Sequence, residues 1–121
     1  MNSEKGVAVE ASLKKIWSEK EERVINELVQ KVRDTFKERV KRIVLYGSRA
    51  RDDADEESDY DFIVLLEPFY EEDKRTLSDI GWEVSYDHNV LLLAIAIENS
   101  EFTEDRFFYF YENVCKEGID L

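Results

Sequence analysis

The stretch GSRARDDADEESDYDFIVLLE, residues 47–67, joins a glycine-serine pair to two alternating aspartates and then to an uncharged apolar run. Before it lies VKRIVLY, Val40 to Tyr46, β-branched, apolar and too short for a helix, so a strand is expected to end at Gly47. After it, Phe62, Val64 and Leu66 alternate with Ile63 and Leu65. A strand apolar on both faces belongs in the middle of a sheet with other layers over it. Between the two strands, seven of the ten residues from Asp52 to Asp61 are acidic.

Outward from this pair of strands, Ser18 and Glu21 fit a capping box, and Val24, Ile25, Leu28, Val29, Val32 and Phe36 recur at helical spacing. This predicts an amphipathic helix ending near Arg39. A second helix is expected from Phe69 to about Asp87. NVLLLAIAIE, Asn89 to Glu98, reads as a third strand, again apolar on both faces. Thr103 opens a last helix, with Gly118 placed for a left-handed cap. Helix, strand, acidic connection, strand, helix, strand and helix make an α/β (α+β) domain, a small mixed β-sheet with flanking helices. Residues 1–17 read as an N-terminal arm or short helix packed through Leu13, Ile16 and Trp17, and residues 18–121 as one domain.

Composition narrows the function. With 17 basic and 29 acidic side chains the net charge is −12, while 43% of residues are hydrophobic. The chain has enough apolar content to fold and repels a nucleic-acid backbone, so nucleic acid is not an expected partner. A protein, a small molecule or a cation is. Cys115 is the single cysteine, which excludes an internal disulfide and reads as a small buried apolar residue. No apolar run has the length of a membrane span, and the first residues lack the apolar block of a signal peptide, so a cytoplasmic setting is expected and no membrane.

Asp59 and Asp61 stand two residues apart, so on a strand their carboxylates point to one face and can converge on a hard divalent cation such as magnesium. Gly47 lets a phosphate approach the backbone, and Ser48 adds a hydroxyl and an amide. Arg49 and Arg51 can supply positive charge toward a triphosphate. A calcium loop is the competing reading of the acidic run, but the glycine of an EF-hand loop is missing and a β-run follows instead of a helix.

Gly47-Ser48-Arg49-Ala50-Arg51 followed by Ser58-Asp59-Tyr60-Asp61 resembles the signature of the DNA polymerase beta superfamily of nucleotidyltransferases, most closely its minimal nucleotidyltransferase (MNT) group. The resemblance implies a magnesium-dependent transfer of a nucleoside monophosphate from ATP or another nucleoside triphosphate to a hydroxyl on a protein or small molecule. Gly47 and Ser48 would hold the β and γ phosphates, and Asp59 and Asp61 the metal. Because MNT proteins are often paired with HEPN-type toxins, it also implies a second reading, a catalytically weak or inactive antitoxin that acts by binding such a partner. Two positions depart from the pattern. Asp52 stands where the family has glycine, and Val90 to Ile97 carries no acid where active members have a third carboxylate. Glu98 ends that strand, and Glu83, Asp87 and Glu101 lie outside it. The segment GWEVSYDHNVLLLAIAI, Gly81 to Ile97, is similar to an MNT subgroup with a likewise apolar strand.

His88, the only histidine, reads as a surface turn residue rather than a general base. Phe102, Phe107, Phe108, Tyr109, Phe110 and Tyr111 make the last helix aromatic on too many sides for one core face. The excess points to a contact with another chain, a partner or a homo-oligomer.

Overall fold

The computed structural model describes residues 17–51, 54–55 and 57–121. The expectation for an arm packed through Leu13 and Ile16 lies outside these residues. Trp17 is described and packs partly buried against the core.

The first helix, α1, spans Glu19–Phe36, and the expected capping box is present: Glu21 N–H donates to Ser18 Oγ at 3.0 Å and Ser18 N–H to Glu21 Oε1 at 2.9 Å. These bonds satisfy two orphan amides of the first turn. Its stripe Val24, Ile25, Leu28, Val32 and Phe36 is buried. After a 3-10 turn, Lys37–Arg39, comes β1, Val40–Tyr46, and then one short helical turn, α2, Ser48–Arg51. Strand β2 is Tyr60–Leu66, α3 is Glu72–His88 and β3 is Leu92–Glu98. A further 3-10 turn, Asn99–Glu101, leads to α4, Glu104–Glu117, and to a two-residue strand β4, Ile119–Asp120, that sequence periodicity does not reveal.

The four strands lie in the order β3-β2-β1-β4. β1 runs antiparallel to β2 and β4, and β2 runs parallel to β3 through α3, so the sheet is mixed as expected. Alternation along β2 divides the core between the two faces. Tyr60, Phe62, Val64 and Leu66 pack under α1 and α3, and Ile63 and Leu65 pack with Val44, Phe102 and Val114 under α4. Full burial of such aliphatic and aromatic side chains contributes roughly 1.5–3 kcal/mol each.

Three expectations are corrected. β3 is an edge strand: Leu92 and Ala96 are buried, but Leu93 and Ile95 on the other face are exposed. Ile97 packs partly buried in the cluster under α4, while Leu93 and Ile95 stay open. Gly118 is extended rather than left-handed, at φ −70 and ψ 150. Glycine is required there for space, because a Cβ would lie 2.5 Å from the Val114 carbonyl and 2.6 Å from Val44 Cγ1. Cys115 is exposed on α4 rather than buried.

The aromatic excess of α4 has a local cause. Phe107 breaks the helical backbone at φ −133, ψ 45, which changes the phase of the turns on either side. Phe107, Phe110 and Tyr111 thereby all reach the cluster around Phe102, with ring centroids 5.2–6.1 Å from it. Phe108 and Tyr109 stay exposed.

Candidate active site

β1 and β2 bring the two ends of the acidic stretch together. Tyr46 pairs with Asp61 across the antiparallel ladder, so Gly47 turns away directly over the Asp61 carboxylate. Gly47 has φ +80, and a Cβ there would sit 2.7 Å from Asp61 Oδ2. Glycine is needed twice over, for the left-handed backbone and for the close approach. Its carbonyl accepts the Ala50 and Arg51 amides, each at 3.0 Å, which closes the turn into α2 with Ser48 as first residue.

Asp61 is half-buried, and its proton affinity lies above the ordinary carboxylate range, first because burial penalises the charge and second because Asp59 is negative beside it. Tyr46, on the same face, is raised by its own burial and by Asp61. It stacks edge-on against Phe110, with centroids 5.3 Å apart, and so forms a wall between the acids and α4.

The two arginines take different places. Arg49 is buried: Nη1 donates to Glu21 Oε2 at 3.0 Å, Nη2 to the Ser58 carbonyl at 2.9 Å, and the guanidinium lies 4.3 Å from the Tyr60 ring centroid. It ties the start of α1 to the end of the acidic connection immediately before Asp59. Arg51 points instead toward the end of α4, 3.5 Å from Glu117 Oε1. Glu21 is a residue that sequence reasoning missed for this site. One of its oxygens serves the cap, as its spacing predicts, but no local signal reveals that the other holds Arg49.

The connection itself is a surface turn where it is described. Asp55 Oδ1 accepts the Glu57 amide at 2.9 Å, and Ser58 Oγ accepts the Asp55 amide at 3.0 Å. None of the acids considered as a third carboxylate joins Asp59 and Asp61. Glu98 pairs with Leu66 at the far end of the parallel ladder, five residues beyond Leu93, which pairs with Asp61. At about 3.3 Å per residue this is roughly 17 Å away. Glu83 faces Lys31 at 3.4 Å, Glu101 faces Arg106 at 2.9 Å, and Asp87 is exposed on α3. His88 meets Glu27 Oε1 at 2.7 Å, tying α3 to α1 away from the aspartates.

Magnesium fits this donor set in part. Two hard carboxylates repel one another where one is already costly to ionise, a situation that a divalent cation relieves. Among the described residues no group of three His, Cys, Asp or Glu could hold a metal, so the remaining ligands would be phosphate oxygens and water.

A mixed sheet that presents Gly-Ser and Asp-x-Asp at one end of its central strands is the arrangement of a nucleotidyltransferase. Residues 25–121 match the nucleotidyltransferase domain family, and the chain belongs to that family. It is 30% identical over 98 residues to "Putative protein adenylyltransferase MJ0604" of Methanocaldococcus jannaschii, covering 81% of this chain and 94% of the relative. A second protein of that organism, "Putative protein adenylyltransferase MJ0141", is 30% identical over 100 residues, with coverages of 81% and 95%. Two solved structures share the fold. A toxin-antitoxin with AMP-PNP superposes with a TM-score of 0.56 at 14% identity, over 77% of this chain and 68% of that one. A toxin-antitoxin MntA-HpeT mutant gives 0.53 at 12% identity, over 76% and 68%. The family match and the relatives identify a nucleotidyltransferase domain, and the two toxin-antitoxin structures share its fold. Among the described residues no helix is long and apolar enough to cross a membrane.

Proposed function

We propose that this chain transfers a nucleoside monophosphate from ATP, with magnesium, to a hydroxyl on a protein. The observation that carries this reading is the approach of Gly47 to the Asp61 carboxylate beside Asp59. The names of the relatives, protein adenylyltransferases, support ATP and a protein acceptor.

In this reading Asp59 and Asp61 hold the magnesium, which when bound offsets phosphate charge and activates the attacking oxygen. Gly47 leaves the surface above Asp61 open to phosphate, and Ser48 offers its hydroxyl. Arg49 fixes the backbone before Asp59 through the Ser58 carbonyl, so its contribution is to position the acids. Arg51, the more exposed arginine, is the better candidate to reach a phosphate. The acceptor oxygen forms a bond to the α-phosphorus, the bond to the bridging oxygen breaks, pyrophosphate leaves, and the hydroxyl proton passes to solvent.

A second reading keeps the fold and the nucleotide and replaces turnover by binding: an antitoxin that holds a HEPN-type toxin. The absence of a third acid beside Asp59 and Asp61 among the described residues favours it. Incubation with α-labelled ATP, magnesium and the product of an adjacent reading frame separates the two. Label transfer that vanishes in Asp59→Asn supports transfer, and a stable complex that takes up no label supports the antitoxin reading. Transfer that persists in Asp59→Asn defeats the site assignment.

A further inference from the structure

The sequence points to α4 as the contact with another chain, but among the described residues a group of exposed apolar side chains lies at β3. No described strand pairs with its outer edge. Leu93 and Ile95 are 53% and 42% exposed on the face shared with Asp61. On the other face, Trp82 and Tyr86 of α3, 65% and 75% exposed, flank a groove of about 380 Å³ that Val90, Leu91 and Leu92 complete. Asn89 through Ile97 contains no charge and no proline, so the devices that normally blunt an edge strand are missing.

We propose that β3 pairs antiparallel with β3 of a second copy, making a twofold dimer with one continuous eight-stranded sheet. Three observations select a second copy. First, two chains of net charge −12 repel, and β3 brings no charged side chain of its own, from Leu92 to Ile97, to a symmetric strand pair. Second, a strand without charge gives a basic or acidic partner nothing to read, and what it fits is another uncharged strand with aliphatic side chains at alternate positions. β3 is itself such a strand, and a twofold axis sets like against like.

Third, the backbone is in phase for this pairing. The Leu91 carbonyl accepts from Tyr60 N–H at 3.0 Å, so in a parallel ladder the odd residues of β3 bond inward to β2. Leu92, Ala94 and Ala96 then turn their amides and carbonyls outward. An axis at Ala94 pairs Leu92 with Ala96 through those groups. It sets Leu93 opposite Ile95 in the closer, non-hydrogen-bonded positions, at about 4.5 Å between Cα atoms. The same axis brings the two α3 helices side by side on the other face, over the Trp82 and Tyr86 grooves.

Sedimentation velocity on the full chain tests this directly. The wild type is expected at twice the 14.3 kDa chain mass at about 100 µM, above a Kd in the micromolar range. Leu93→Lys and Ile95→Lys are expected to give monomers with unchanged circular dichroism, since both side chains are already exposed. Ile95→Thr, which keeps β-branching, should weaken association at least threefold. Amide exchange offers a reading without mutations: Leu92, Ala94 and Ala96 should gain protection of tenfold or more as concentration passes through the association range. A wild type that stays monomeric at about 100 µM overturns the proposal. So does a dimer indifferent to both lysine substitutions, because its contact would then lie elsewhere, as on Phe108 and Tyr109.

Discussion

Gly47 and Asp61 are 14 positions apart in sequence, yet a Cβ on Gly47 would stand 2.7 Å from Asp61 Oδ2. The two ends of the acidic stretch therefore constrain each other. Gly47→Ala should cost about 1–2 kcal/mol from the left-handed backbone alone, and should reduce nucleotide binding further by pushing the carboxylate aside. Urea melts and ATP titration on the same variant check both effects.

Arg49 and Glu21 form a buried pair, with side chains 8% and 12% exposed. Either Arg49→Ala or Glu21→Ala removes a buried charge-assisted hydrogen bond and should lower stability by about 1.5–3 kcal/mol. Arg51→Ala, at an exposed pair, should cost less than about 1 kcal/mol. If Arg49 instead acts on phosphate, its loss will weaken ATP binding while leaving the urea midpoint in place.

Asp61 and Asp73 should respond to pH in opposite senses. Asp73 is buried against Arg39, with contacts of 2.8 and 3.1 Å that hold its carboxyl below the ordinary range. Its stabilising effect is present above the unfolded value, about 3.9, and is lost as pH falls through the lower folded value. Asp61 is raised, so its folded state binds the proton more tightly, and its ionisation costs stability as pH rises above about 3.9. Asp61→Asn should therefore gain in melting temperature relative to wild type as pH rises above about 3.9. Asp73→Asn should lose about 3 kcal/mol at neutral pH and progressively less as pH falls below about 3.9. Thermal melts across this pH range check both signs.

The Tyr60 hydroxyl is buried with no hydrogen-bond partner among the described residues, while its ring is covered by Arg49. Tyr60→Phe removes an unsatisfied polar group and keeps the ring, so stability should hold or rise by up to about 1 kcal/mol. A loss above about 1 kcal/mol by chemical denaturation would show that the hydroxyl has a partner in solution.

Much of this architecture is written locally. The capping box at Ser18 and the two-sided burial of β2 follow from patterns within a few residues. The same apolar pattern misplaces β3, because hydropathy reports what could be buried, and whether a strand is central depends on pairing across the whole chain. β4 is two residues long and carries no period of its own. Gly47 and the two aspartates stand out because their chemistry is packed into one short stretch. Glu21, 28 positions from Arg49, reads only as a cap until the fold brings them together.

Calorimetric titration of ATP with and without magnesium decides whether Gly47, Ser48, Asp59 and Asp61 form the one magnesium-nucleotide site proposed for them. Wild type should bind only with magnesium. Either Asp59→Asn or Asp61→Asn should weaken binding at least tenfold, which is about 1.4 kcal/mol. Binding of equal strength in both variants, or binding indifferent to magnesium, would contradict the account.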